Sequence, residues 1–333
     1  MKCFDPVLCY TTPKGKKLYR HFSHANEDIK KLHQKRFNCG KCLICRKKKS
    51  YELAARCVLH ASLYKDNCFI TLTYDEKKEG YHNELQYEDI QKFKKRLRSY
   101  CHRKFNKKIQ VFNVHEYGTN GKKHWHLIVF NHNFSDKQPY FKTKSGTLYI
   151  SNQLQKLWTY GHHTIGDVSL ASAMYQAQYM EKDIKNNYCT SKKKSKSNHS
   201  GLGKDFFFKN YKQILELGYV PFDGKKLPIP RYFEKLAKKH YCHFYDKGEF
   251  FDSPITGRKR QFRPFTKEEQ PDITLANLYS FYKATKEEKI KELEEQWQDI
   301  VEKHLTTNQI PDFIKSAENI KHDFLNKNQK SKF

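Results

Sequence analysis

The chain has 333 residues, 64 Lys and Arg against 36 Asp and Glu, a formal charge of +28, and aromatic side chains at 15% of positions. Cationic side chains neutralise phosphates and aromatic faces stack on unpaired bases, so the mixture points to nucleic acid. A membrane span is excluded because no stretch reaches ~20 apolar residues, and Met1-Lys2-Cys3 opens no secretory signal. The ten cysteines are too sparse for a disulfide scaffold and are expected reduced in a cytosol.

Residues 1–35 read as an irregular basic segment. Cys39, Cys42 and Cys45 then form a C-x2-C-x2-C run that brings three thiols within reach of one ion. A structural Zn²⁺ needs a fourth ligand, which Cys3 or Cys9 can return to supply; part of an iron–sulfur pattern and plain reduced thiols are the alternatives. Apolar positions at Leu53, Ala54, Cys57, Val58 and Ala61 predict a helix from Ser50 to Tyr64. The β-branched and aromatic alternation of Cys68 to Tyr74 predicts a strand. Tyr87 to Arg103 carries Ile90, Phe93, Leu97 and Tyr100 at helical period, with a basic outer face.

Two strands follow, Ile109 to Tyr117 and His124 to Phe130, joined by a short Gly-containing turn. A helix at Ser151 to Tyr160, a strand at His163 to Val168 and a helix at Ser169 to Lys185 complete a β-α-β-β-α-β-α order. That order predicts an α+β fold: a ferredoxin-like antiparallel sheet of four to five strands, with helices on one face and the other face free for a ligand. Residues 190–200 read as a flexible loop, Gly201 to Tyr245 as chain packed on the core, and the stretch beyond Lys267 as amphipathic helix. The expected division is 1–49 as a basic segment with the cysteine cluster, 50–245 as a catalytic domain and 246–333 as a helical extension. The densest basic clusters are Arg46 to Lys49, Lys94 to Arg98 and Lys192 to Lys196, each a candidate track for a phosphate backbone.

His124 and His126, two apart on a strand, project from one face while Trp125 points to the other. Glu116 on the preceding strand is the candidate third ligand. A two-residue Asn120-Gly121 turn sets Glu116 opposite Trp125, on the wrong face, whereas a three-residue Thr119-Asn120-Gly121 loop sets it opposite His124. Two imidazoles and a carboxylate leave positions open for phosphate and water, with Mg²⁺ or Mn²⁺ as the expected ion. Tyr175 and Tyr179 are four apart and share a helical face, with Lys182 one turn beyond Tyr179. A phenol ionises near pH 10, so a divalent cation and a nearby ammonium both help it attack phosphorus, leaving a 5′-phosphotyrosine and a free 3′-hydroxyl.

Phe69-Ile70-Thr71-Leu72-Thr73-Tyr74, His124-Trp125-His126 and Tyr179-Met180-Glu181-Lys182 resemble the three successive motifs of HUH endonucleases that initiate rolling-circle replication. Cys39-Gly40-Lys41-Cys42-Leu43-Ile44-Cys45-Arg46, with His115-Glu116-Tyr117-Gly118, is similar to the replication initiators of gokushovirus-type microviruses, and the likeness runs from Cys39 to Arg231. The resemblance implies nicking of a phage origin in the cytoplasm of the bacterial host, covalent attachment at the 5′ end, and extension of the 3′ end by the host polymerase. Two tyrosines would then alternate as nucleophiles, with Tyr179 expected first and Tyr175 as its partner. Gln178 stands where a basic residue is usual and Asp183 where a second lysine is common.

The rivals are a conjugative relaxase or transposase using the same chemistry, and a non-catalytic protein binding single-stranded nucleic acid on its open sheet face. No Walker loop is present, so unwinding falls to a host helicase.

Overall fold

The structure, a computed structural model, describes residues 3, 5–11, 17–32, 35–77, 86–117, 122–143, 146–185, 195–196, 201–251 and 259–307. In chain order the elements are β1 (Val7–Thr11), β2 (Lys17–His21), α1 (Glu27–Leu32), β3 (Lys35–Phe37), α2 (Leu43–Ala61), β4 (Asn67–Tyr74), α3 (Tyr87–Phe105), β5 (Gln110–Tyr117), β6 (Lys123–Phe130), β7 (Gln138–Thr143), β8 (Gly146–Ile150), α4 (Asn152–Leu157), β9 (Gly161–Gly166), α5 (Leu170–Lys185), β10 (Ser195–Lys196), α6 (Lys204–Leu217), β11 (Val220–Phe222), β12 (Lys225–Leu227), α7 (Arg231–Tyr245), β13 (Glu249–Phe251), β14 (Lys259–Gln261) and α8 (Ile273–Thr307). The fold is α+β. Contacts divide the chain into two units, Lys49–Glu234 and a second made of Met1–Lys48 with Lys235–Phe333. No helix among the described residues is long and apolar enough to cross a membrane.

The first unit is built on an antiparallel sheet in the order β10-β5-β6-β4-β9-β8-β7. At its centre β4 and β5 both flank β6, and β6 and β9 both flank β4, so each half of the β-α-β-β-α-β order leaps over one strand of the other. The sheet exceeds the expected four to five strands. The β7–β8 hairpin was missed because Gln138–Thr143 is almost wholly exposed and carries no apolar alternation. Part of the expected loop at 190–200 pairs as edge strand β10, Ser195 opposite Asn113.

Helices cover both faces, which overturns the expectation of one free face. On one, Ile90, Phe93, Leu97 and Cys101 of α3, with Leu154 of α4 and Trp158 just beyond it, bury Ile70, Leu72, Trp125, Leu127 and Val129. On the other, Ala54, Cys57, Val58 and Ala61 of α2 and Ala173 and Ala177 of α5 lie against Phe112, Val114, Ile128 and Phe130. The small residues of α2 and α5 let those helices approach the strands closely, a feature that reads in sequence as an ordinary apolar stripe. Trp125 is fully buried, and its Nε1 donates to the Tyr74 hydroxyl, which donates to Asp89. Truncating such a side chain costs about 3–5 kcal/mol.

Local signals set the helix ends. Ser151 caps α4, its hydroxyl accepting from the Leu154 amide and donating to Asp136. Asn106, at φ 49°, ends α3 in the left-handed region. The basic face of α3 is only partly outward. Lys94 is buried and its Nζ donates to Asn113, while Arg96 Nε donates to the Leu157 carbonyl, so these two charges face inward. Lys192 to Lys194 lie outside the described residues.

In the second unit, residues 1–35 are not irregular. β1 pairs antiparallel with β2 and β3, giving the order β2-β1-β3, with Leu8 fully buried and Phe22 nearly so. The strands are three to five residues long, too short for a legible period. A β13–β14 hairpin and the 35-residue α8 complete this unit, Arg36 pairing with Glu294 at 3.1 Å.

Candidate functional site

The expected register is observed: Glu116 lies opposite His124 and Tyr117 opposite Lys123. The loop residues 118–121 lie outside the described residues. Side chains on alternate positions of β6 share a face, so His124 and His126 stand together, their rings 6.2 Å apart and 25° from parallel, while Trp125 goes into the opposite core. The Glu116 carboxylate reaches His126 Nε2 at 3.0 Å.

Strand β4 adds two residues that sequence reading left without a role. Thr71 is opposite His126 and Thr73 opposite His124. Their Oγ1 atoms lie 3.1 and 2.9 Å from the respective Nδ1 atoms. A hydroxyl accepting from each Nδ1–H fixes the tautomer with a lone pair on Nε2, the arrangement that orients an imidazole toward a cation. The alternation of Thr71 and Thr73 along the strand was the signal that could have found them. Phe69, one step further on this face, stacks on His126 at 5.8 Å.

Helix α5 brings the phenol. Tyr175 is half exposed, its hydroxyl 3.4 Å from Glu116 Oε2 and its ring edge-on to His126 at 5.5 Å. The next residue, Gln176, is fully buried, and its Nε2 donates to the backbone carbonyls of Phe112 and His126. Ser50 Oγ donates to the Ala177 carbonyl on the same helix. These bonds seat α5 on β5 and β6, and nothing in the local sequence marks Gln176 for that task. Tyr179 and Lys182 belong to α5, but their side chains lie outside the described residues.

Burial, and next the adjacent His126, push the His124 pKa below the ordinary histidine value, against the pull of Glu116. His124 is therefore a neutral donor at neutral pH. Glu116 and His126 are 15% and 5% exposed, so the carboxylate is open to a ligand while the imidazole is walled in. Two neutral-capable imidazoles and one carboxylate are the donor set for a hard or borderline divalent cation. The 3.0 Å between His126 Nε2 and Glu116 Oε2 matches the separation, about 3.0 Å, of adjacent octahedral ligands each about 2.1 Å from an ion.

The second expected constellation is also assembled. Cys3, Cys39, Cys42 and Cys45 place their sulfurs within 4.8 Å of one another, a group able to hold a metal ion. Of the two cysteines weighed as the fourth member, Cys3 is the one brought in; Cys9 is buried on β1 outside the group.

The profile of the family of replication-associated protein ORF2 matches residues 67–184, the stretch from β4 through most of α5 that contains the whole histidine–tyrosine site. The chain is 31% identical over 258 residues to replication-associated protein VP4 of Bdellovibrio phage phiMH2K, covering 72% of this chain and 78% of that protein. It is 32% identical over 213 residues to replication-associated protein ORF4 of Chlamydia phage 1, covering 60% of this chain and only 53% of that protein. Against replication-associated protein ORF2 of Spiroplasma virus 4 it is 28% identical, covering 88% and 96%. No solved structure matches the chain. The chain belongs to the replication-associated proteins of gokushovirus-type microviruses.

Proposed function

We propose that the protein initiates rolling-circle replication as an HUH endonuclease and strand transferase, nicking single-stranded origin DNA with a tyrosine. The observation that carries this reading is the convergence of the Tyr175 hydroxyl, the Glu116 carboxylate and the His126 imidazole on one sheet face. The interleaved strand order, in which β4, β5, β6 and β9 form the ferredoxin-like core, supports it.

His124, His126 and Glu116 would hold Mg²⁺ or Mn²⁺, whose charge neutralises the scissile phosphate and stabilises the oxygens around phosphorus. Thr71 and Thr73 keep both Nε2 lone pairs aimed at that position. Docking of α5 through Gln176 holds the Tyr175 oxygen beside the carboxylate, limiting its motion relative to the bound strand. The tyrosine oxygen bonds to phosphorus, the 3′-oxygen leaves and takes up a proton, and the strand ends as a 5′-phosphotyrosine with a free 3′-hydroxyl. Tyr179 is the first nucleophile in this reading, Tyr175 the one that resolves the linked strand, and Lys182 the ammonium that favours the phenolate. The host polymerase then extends the 3′ end and a host helicase opens the duplex, both in the bacterial cytoplasm.

Burial of the histidine-bearing face under α2 and α5 counts against the rival in which an open sheet stacks bases. The test is to incubate the protein with labelled single strands of the phage origin and Mn²⁺ and to resolve the products on a denaturing gel. A protein-linked strand is expected from the wild type and from either single Tyr→Phe variant at reduced yield, and none from Tyr175→Phe/Tyr179→Phe. Wild type that binds the strand without forming an adduct would return the protein to the class of binding modules.

A further inference from the structure

We propose that Cys3, Cys39, Cys42 and Cys45 form a structural zinc site that staples the N-terminal sheet to the start of α2. The inference is independent of the nicking chemistry, which uses none of these residues.

Three observations carry it. First, the sulfurs are arranged for a single ion. Cys3 and Cys42 are 3.8 Å apart and Cys39 and Cys45 are 3.9 Å apart. Four thiolates about 2.3 Å from one tetrahedral zinc lie about 3.8 Å from each other. A cluster of several irons holds its thiolates farther apart, so the spacing favours a mononuclear site.

Second, the backbone is bent to serve the sulfurs. Gly40 sits at φ 72°, a conformation that costs a side-chain-bearing residue, and the turn it makes returns the Cys42 amide to Cys39 Sγ at 3.3 Å. The Cys39 amide donates to Cys3 Sγ at 3.3 Å. Amides aimed at sulfur stabilise thiolates rather than thiols. Four thiolates and one Zn²⁺ carry a net charge of −2, and Lys41, Arg46, Lys47 and Lys48 supply adjacent positive charge in the chain.

Third, this sheet needs a staple. Cys3 lies before β1 and Cys39 follows β3, and those strands pair with Val7 opposite Phe37, so an ion bound by both cysteines closes the open end of the ladder. The buried apolar residues described between Cys3 and Cys45, cysteines apart, are Leu8, Phe22, Ala25 and Ile44. A core that small is normally reinforced by a metal or disulfides. Burial pushes the Cys45 thiol up to about 11, so without a cation these buried groups would be inert thiols.

The test uses the full-length protein purified under reducing conditions without chelator. Elemental analysis is expected to give about one zinc per chain. Replacing it with Co²⁺ should give thiolate charge-transfer bands with the visible bands of a tetrahedral sulfur site. Cys3→Ser and Cys42→Ser should each lower zinc retention at least tenfold, and Cys9→Ser should leave it unchanged. The elemental and cobalt measurements need no variant, so a serine variant that folds poorly leaves the test intact. Metal-free protein with four freely alkylated thiols, iron in place of zinc, or zinc lost from Cys9→Ser would each overturn the proposal.

Discussion

Lowering the pH should destabilise the catalytic unit through one histidine far from its chemistry. His132 is 2% exposed, enclosed by the rings of Tyr100, Phe105 and Phe134, with centroids 4.8–6.0 Å away. Burial first, then the Lys107 ammonium, hold its pKa down to about 4, with Asp66 opposing weakly. The unfolded chain titrates near 6.5, so between pH 6.5 and about 4 the unfolded state binds the extra proton and stability falls as pH falls. The contribution is fully present above pH 6.5. Linkage with these two values gives a loss of about 2 kcal/mol at pH 5 and about 3 kcal/mol at pH 4. For a unit of this size the pH 5 figure corresponds to about 4–8 °C in Tm. Denaturant unfolding of wild type and His132→Leu at pH 7.5, 6, 5 and 4 reads the effect, because the leucine variant should lack this part of the slope whatever its absolute stability. Parallel curves for the two proteins would refute the assignment.

Thr71→Val and Thr73→Val should each weaken Mn²⁺ binding about 10–100-fold by freeing an imidazole, read by Mn²⁺ titration; unchanged affinity in both would show that the hydroxyls do not orient the ligands. Gly161→Ala should cost about 3 kcal/mol or more, because the new Cβ would lie 2.2 Å from the Thr73 carbonyl oxygen and 2.5 Å from the Asp75 amide, forcing β9 from β4; thermal unfolding measures it, and a neutral result would contradict the close approach. Burial and the nearby Arg98 lower the Lys94 pKa to about 8 from 10.5, so the unfolded state binds the extra proton between those values and stability should climb as pH rises from 8 to 10.5. Lys94→Met should flatten that rise in denaturant melts across the range; a slope equal to wild type would place the effect elsewhere.

Local pattern was enough to locate the central elements and the chemistry they carry. The alternation in β4 and β6 and the stripe of α3 were legible because period 2 and period 3.6 are local properties of the chain. The same alternation put His124 and His126 on one face, and the choice of a longer turn put Glu116 opposite His124, since a slip of one residue inverts every side chain of a strand. The cysteine spacing likewise announced three sulfurs near one point. What surrounds these residues emerged only in three dimensions. Both faces of the sheet are covered because α2 and α5 present alanines to it, and residue size along a stripe does not say which surface will accept it. Thr71 and Thr73 support the histidines only through the β4–β6 register, and Gln176 docks the tyrosine helix through carbonyls of two other strands. Cys3 completes the sulfur group from 36 residues away because β1 pairs with β3, and no local period encodes a pairing over that distance. Lys94 shows the converse, since it sits in a run of charge that reads as solvated face, yet the fold turns it inward to Asn113.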